Sequence, residues 1–200
     1  MNMAYITKTH DPKTPGAPTL VLFHGTGADE NQFFALGRQL LPNARLVAPR
    51  GDVSEGGALR YFHRTGEGVY DMDDLKTRTD AMAEFLKGLA ADGPMIGLGY
   101  SNGANILASV MISHPEIVDA AVLMHPLIPW TPEPVAELAG RKVLITAGQR
   151  DPIAPAQLTQ ALADWFVAQG TETEIAWHEG GHDVPQNELM AVAAFLKSWG

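Results

Sequence analysis

Six short apolar runs, rich in β-branched residues and bounded by glycine or proline, punctuate the chain: TLVLFHG from Thr19, ARLVAPRG from Ala44, PMIGLGYS from Pro94, DAAVLMHP from Asp119, KVLITAGQRD from Lys142 and TEIAWHEG from Thr173. Runs of this kind mark strands of a buried, mostly parallel sheet. Between them lie segments with helical spacing. Leu75, Met82 and Leu89 repeat on one face beside Phe85 and Leu86, and PAQLTQALADWFVAQG and NELMAVAAFLKSWG follow the same period. Strand and helix alternating in this way predict an α/β fold, a doubly wound and mostly parallel sheet with helices on both faces. AYITKT, near the start, is expected to add an edge strand.

A chain of 200 residues, 46% hydrophobic and 18% charged, fits one domain spanning 1–200. A net charge of -9, with no dense Lys/Arg cluster to offset it, argues against nucleic acid and anionic membrane surfaces as partners. MNMAYITKTHDP has neither a basic stretch nor a long apolar one, and no later run approaches membrane-spanning length. The expectation is a soluble cytoplasmic protein with no membrane insertion. The absence of cysteine excludes disulfides, thiolate metal sites and a cysteine nucleophile. Oxygen and nitrogen groups must carry the chemistry.

In a doubly wound sheet, ligands bind beyond the carboxyl ends of the strands. The residues at these exits are His24-Gly25-Thr26-Gly27, Ser101-Asn102, His125-Pro126, Gln149-Arg150-Asp151 and Gly180-Gly181-His182. The glycines of PMIGLGYSNGANIL admit two readings, a phosphate-cradling dinucleotide turn or a strained elbow presenting Ser101. A dinucleotide turn belongs in the first βαβ unit and needs an acid at the end of the next strand. Here the turn lies mid-chain, its third glycine comes one place late, and Glu116 and Asp119 precede the next strand. The elbow needs a strand, small neighbours such as Gly99 and Gly103, an immediate helix, then an acid and a histidine later in the chain, and all are present.

Asp151 is the expected acid, because it follows a strand on the edge where Ser101 emerges. His182 is the expected base, because it follows the last strand and two glycines let its loop bend back. His114 and His178 read as packing or surface residues, and His24 as a buried histidine that shapes its loop. His125 leaves a strand at the right edge but precedes Asp151, against the order nucleophile, acid, histidine; it is expected to line the site. An oxyanion at this serine needs two aimed N–H donors. The backbone of Asn102, at the start of a helix, supplies one, and the loop holding Thr26 the other. SEGGALRYFHRTGEGVYDMDD is expected to wall the pocket, with Phe62 and, from a later stretch, Trp130 as substrate contacts.

FHGTGADENQF, APRG, RYFHR, GVYDMDDL, GYSNGAN, GQRDPIAP and GGHDV follow one another in an order that resembles the phospholipase/carboxylesterase family of α/β-hydrolases, relatives of acyl-protein thioesterases and dienelactone hydrolases. The resemblance implies an α/β-hydrolase fold, a Ser101, Asp151, His182 triad and an oxyanion hole at Thr26 and Asn102; PLIPWTPEPVAELAGRK reaches the next strand too soon for a separate cap domain, and the expected mechanism requires no metal or other cofactor. Acyl-protein thioesterases usually carry Gln where this chain has Asn102, and dienelactone hydrolases Cys where it has Ser101, so neither specificity carries over. The expected activity is hydrolysis of small or medium carboxylic esters through an acyl-enzyme. Acyl thioesterase and lysophospholipase remain alternatives on the same residues, and a non-catalytic binding module is the reading from another class. A small-molecule ester is the expected partner, with monomer and homodimer both open.

Overall fold

The computed structural model describes residues 5–12 and 14–200. The first three strands are β1 (Thr7–His10), β2 (Thr19–Phe23) and β3 (Arg45–Pro49). Two hairpins follow, β4 (Val53–Glu55) with β5 (Ala58–Arg60), and β6 (Arg64–Gly66) with β7 (Val69–Tyr70). Then come β8 (Met95–Tyr100), β9 (Ala120–Met124), β10 (Lys142–Gly148) and β11 (Glu172–His178). The main sheet has seven strands in the order β1-β3-β2-β8-β9-β10-β11. Only β1 runs antiparallel to its neighbour, at the outer edge beside β3. It is the expected edge strand; Ala4, where AYITKT begins, lies outside the described residues.

The chain winds from β2 outward to β3 and then crosses to β8 on the other side of β2. The order therefore reverses between β2 and β8, and their carboxyl ends open the crevice where a doubly wound sheet receives a ligand. Five helices, α1 (Phe34–Leu40), α2 (Met72–Gly88), α3 (Asn102–Ser113), α4 (Ala156–Ala168) and α5 (Gln186–Leu196), cover the two faces. Alternate residues of one strand serve opposite cores, as the pleat requires. Val21 and Phe23 pack with Leu75 and Met82 of α2, Ile106 of α3 and Phe166 of α4. Leu20 and Leu22 pack with Phe34 of α1 and with Val192 and Leu196 of α5.

Local chemistry sets the element ends. Asp71 caps α2 by accepting a hydrogen bond from the Asp74 N–H at 3.0 Å, and Asp73 and Asp74 stand in its first turn, where negative charge is favoured. Gly56 and Gly57, both with positive φ, make the two-residue turn joining β4 and β5. Between β9 and β10 the chain makes only a 3-10 turn at Ala136–Leu138, with no inserted cap. Among the described residues no helix is long and apolar enough to cross a membrane.

Candidate active site

β8 delivers Ser101 directly into α3, and the junction is strained: Ser101 has φ 52° and ψ -116°, a region L-residues rarely occupy. Bare Cα positions on both sides make this turn feasible. A Cβ on Gly99 would lie 2.5 Å from the Gly103 carbonyl oxygen, and one on Gly103 would lie 2.4 Å from that of Phe23 at the end of β2. The Ser101 N–H is anchored to the Met124 carbonyl of β9 at 2.8 Å.

Asp151 sits in the turn after β10. Its Oδ1 accepts the N–H groups of Ile153 and Ala154 at 2.8 and 2.9 Å, which fixes the carboxylate plane. Its Oδ2 accepts from His182 Nδ1 at 2.7 Å, and His182 Nε2 lies 2.8 Å from Ser101 Oγ. Burial works to raise the Asp151 pKa, but the backbone bond from Ala154, those from His125 and His182, and that from Ile153 together hold it below its ordinary value. The loop carrying His182 passes directly over Gly148, where a Cβ would stand 2.1 Å from the Gly181 carbonyl oxygen. Two further bonds tie that loop down: Arg150 N–H donates to the Gly180 carbonyl at 3.0 Å, and the Tyr100 hydroxyl to the His182 carbonyl at 2.6 Å. A carboxylate, imidazole and hydroxyl in such a chain form a path by which the hydroxyl proton can be withdrawn.

Ser101 and His182 open on a pocket of about 270 Å³. Thr26 and Asn102 line it as well, and Asn102, as the first residue of α3, has an N–H that cannot bond within the helix. The Asn102 side chain accepts the Tyr61 N–H at 2.8 Å, while its own Nδ2 has no partner among the described residues. The facing wall comes from the segment between β3 and α2: Arg60, Arg64, Glu67 and Tyr70. Arg60 donates to the Thr26 hydroxyl at 2.8 Å, and Arg64 pairs with Glu55 and Glu67 at 3.0 and 2.6 Å. Tyr70 donates to the Leu127 carbonyl at 2.7 Å and receives the Asn105 amide at 2.9 Å.

Two of the other expected contacts, Phe62 and Trp130, lie elsewhere. Phe62 is fully buried in the core, edge-on to Tyr70 at 4.8 Å, and does not line the pocket. Trp130 borders a separate hollow with Pro132 and Trp165, its ring centroid 6.2 Å from that of Tyr70, which lines the pocket. His125, expected to line the site, is among the residues bordering the pocket although it is 0% exposed, and its Nδ1 lies 2.7 Å from the same Asp151 oxygen that His182 uses. His24 is the loop-shaping histidine expected: Nδ1 meets the Gly25 carbonyl at 2.7 Å, Nε2 receives the Gly51 N–H at 2.9 Å, and burial lowers its pKa.

Of two further neighbours of His125, His178 is a packing residue, one of the roles expected of it, whereas Glu188 was not foreseen. Glu188 and His178, both buried, approach its Nε2 at 3.2 and 3.4 Å. A signal was present for Glu188, since Glu188, Val192 and Leu196 fall at helical spacing on the buried stripe of α5. An acid on such a stripe requires a partner.

Residues 61–187 match the dienelactone hydrolase family, a span that includes the elbow, the acid turn and the histidine loop. The Bacillus subtilis protein MhqD is 37% identical over 183 residues, which is 89% of this chain and 92% of that one. Among solved structures, Atu2452 of Agrobacterium tumefaciens, described as of unknown function, is 54% identical, with a TM-score of 0.92 over 98% of this chain and 97% of its own. The Bacillus cereus carboxylesterase is 31% identical, with a TM-score of 0.93 over 100% of this chain and 96% of that one. By family match, by identity over most of its length and by its sheet order, the chain belongs to the dienelactone hydrolase family of α/β-hydrolases.

Proposed function

We propose that the chain is a serine carboxylesterase acting on small esters. The observation that carries this reading is the unbroken hydrogen-bonded series from Ser101 Oγ through His182 to Asp151, at 2.8 and 2.7 Å, on a strained elbow. His182 Nε2 takes the Ser101 proton as Oγ attacks the ester carbonyl. The N–H groups of Asn102 and Thr26 stabilise the oxyanion, and the helix start at Asn102 adds a favourable dipole. His182 then protonates the departing alcohol, leaving an acyl-enzyme. Water, with His182 again as base, releases the acid. Asp151 orients the imidazole and offsets its charge.

The pocket narrows the choice of substrate. About 270 Å³, walled by Arg60, Arg64 and Glu67, suits a short acyl group and offers no long apolar channel for a lysophospholipid chain. The similarity to the Bacillus cereus carboxylesterase supports a carboxylic ester as the substrate. Acyl thioesters place the same carbonyl before the same serine and stay as the second reading. A fluorophosphonate should add to Ser101 in the purified chain and fail to add to Ser101→Ala, with ester hydrolysis lost in parallel and the melt unchanged. A panel of p-nitrophenyl esters and acyl thioesters should give its highest kcat/KM on short-chain esters. A folded wild-type chain that takes no adduct would overturn the serine mechanism, and a preference for long acyl thioesters would overturn the substrate class.

A further inference from the structure

Behind the Ser101, Asp151, His182 series lies a second polar cluster that the proposed mechanism does not use. His125 has φ 50°, one of three non-glycine residues with positive φ among those described. This backbone turns the side chain under the sheet exit, where its N–H is held by the Thr146 carbonyl at 2.8 Å. Asp151 from the β10 turn, Glu188 from α5, His178 at the end of β11, His182 from its loop and Tyr100 from β8 are the titratable groups facing it.

The hydrogen bonds determine where the protons are. Gly180 N–H donates to His178 Nδ1 at 3.0 Å, so the His178 proton sits on Nε2, which lies 3.4 Å from both His125 Nε2 and Glu188 Oε2. The Thr146 hydroxyl donates to Glu188 Oε1. Asp151 Oδ2 is an acceptor, so His125 Nδ1 must carry a hydrogen. If His125 were neutral, the lone pair on Nε2 would face Glu188 Oε2 at 3.2 Å, and one of the two would need a further proton. With Thr146 donating to Glu188 Oε1, a proton on His125 Nε2 completes the pairing at Oε2.

A metal ion is the competing explanation. His125, His178 and Glu188 offer three atoms separated by 3.2 to 3.4 Å, close to the roughly 3.3 Å between ligands of a tetrahedral ion with bonds near 2.0 Å. The Gly180 N–H argues against it. A neutral His178 binding metal through Nε2 would carry its hydrogen on Nδ1, pointing at the N–H already there.

We propose that His125 is a positioning residue held as a buried imidazolium between Asp151 and Glu188, fixing the Asp151 oxygen that orients His182 and offsetting its charge. Burial disfavours the charged ring, but the hydrogen bonds to Glu188 and Asp151 and the charges of both raise its pKa overall. The ring centroids of His125 and His182 are 5.1 Å apart, close enough for the charge on one to be felt strongly at the other. The catalytic consequence rests on the serine esterase reading; the charge state does not.

The full chain labelled with 15N-histidine, its His125 signals assigned by their loss in His125→Gln, should show both His125 ring nitrogens protonated at neutral pH, where an ordinary histidine has largely lost one. One protonated and one bare nitrogen at neutrality would overturn the proposal, as would a stoichiometric metal ion removed by chelator with a change in these signals. Activity gives a second readout. His125→Gln leaves the Asp151 and Glu188 charges without their shared cation, so the ascending limb of its pH–rate profile should move up by about one unit. The double variant His125→Gln, Glu188→Gln removes the excess negative charge and should bring the limb back. A limb that stays in place in His125→Gln, or that moves equally in both variants, would mean the cluster only packs the core. Should His125→Gln fail to fold, the wild-type spectrum, assigned through Glu188→Gln, decides the matter. Fluorophosphonate labelling of Ser101 is run alongside, so a failed esterase reading is recognised separately from a neutral His125.

Discussion

At the scale of single residues, Thr26 separates what a side chain does from what its backbone does. Its hydroxyl accepts from Arg60 at 2.8 Å and so ties the loop after β2 to the pocket wall, while its N–H is the proposed oxyanion donor. Thr26→Ala keeps the donor and loses one hydrogen bond, which is worth about 1 kcal/mol, so kcat/KM should fall about fivefold. Thr26→Pro removes the donor and should cost about a hundredfold. Melts and fluorophosphonate labelling must accompany both rates, because proline can distort the loop. Equal losses in two folded variants would assign the function to the hydroxyl instead. Ser101, Asp151 and His182 were legible in the sequence because each directly follows an apolar run, and chain order along a wound sheet translates into position along one edge. His125 obeys the same rule and borders the pocket. Its positive φ, which sets the buried ring against Asp151 and Glu188, has no sequence signature in a non-glycine residue.

At the scale of elements, the arrangement depends on how closely the exits of β10 and β11 approach each other. Gly148 ends β10 with a bare Cα under the histidine loop. Gly148→Ala must displace backbone and cannot be relieved by a rotamer change, so it should destabilise the fold by about 1–3 kcal/mol and lower kcat/KM by at least tenfold through the shift of His182. Urea unfolding and steady-state rates check the two effects. A variant with normal rate and stability would show that the loop has room to rise. The long strands and α2, α4 and α5 could be read from periodicity, but α1 and the two hairpins could not. α1 has seven residues with a glycine among them, too few for a stripe to declare itself. A Cβ on Gly37 would stand 2.9 Å from a terminal methyl of Leu22, a contact that appears only once β2 is in place. β4 to β7 are two or three residues each and read as loop, though the expectation that this stretch walls the pocket agrees with the structure.

At the scale of the whole molecule, the same cluster links stability to pH on two sides. Asp151 is held below its ordinary 3.8, so its contribution is present above that value and is lost as pH falls through the lower folded value. His125 is held above its ordinary 6.5, so its contribution is complete below 6.5 and is lost as pH rises through the higher folded value. The melting temperature should therefore decline at both ends of a pH series, and His125→Gln should lose the alkaline decline while keeping the acid one. An alkaline decline unchanged in that variant would assign it to other groups. The pocket wall has another consequence. The groups proposed to react leave β8, β10 and β11, whereas Arg60, Arg64, Glu67 and Tyr70 all come from one uninterrupted stretch between β3 and α2. That stretch is fastened to the nucleophile helix through Tyr61, whose N–H binds Asn102 and whose hydroxyl binds the Pro49 carbonyl. The facing wall of the pocket and the groups proposed to react are thus written in separate passages of the polypeptide. A lineage that retained Tyr61 could rewrite the former by insertion, deletion or recombination of about twenty residues, a common loop-scale change, and inherit the latter untouched.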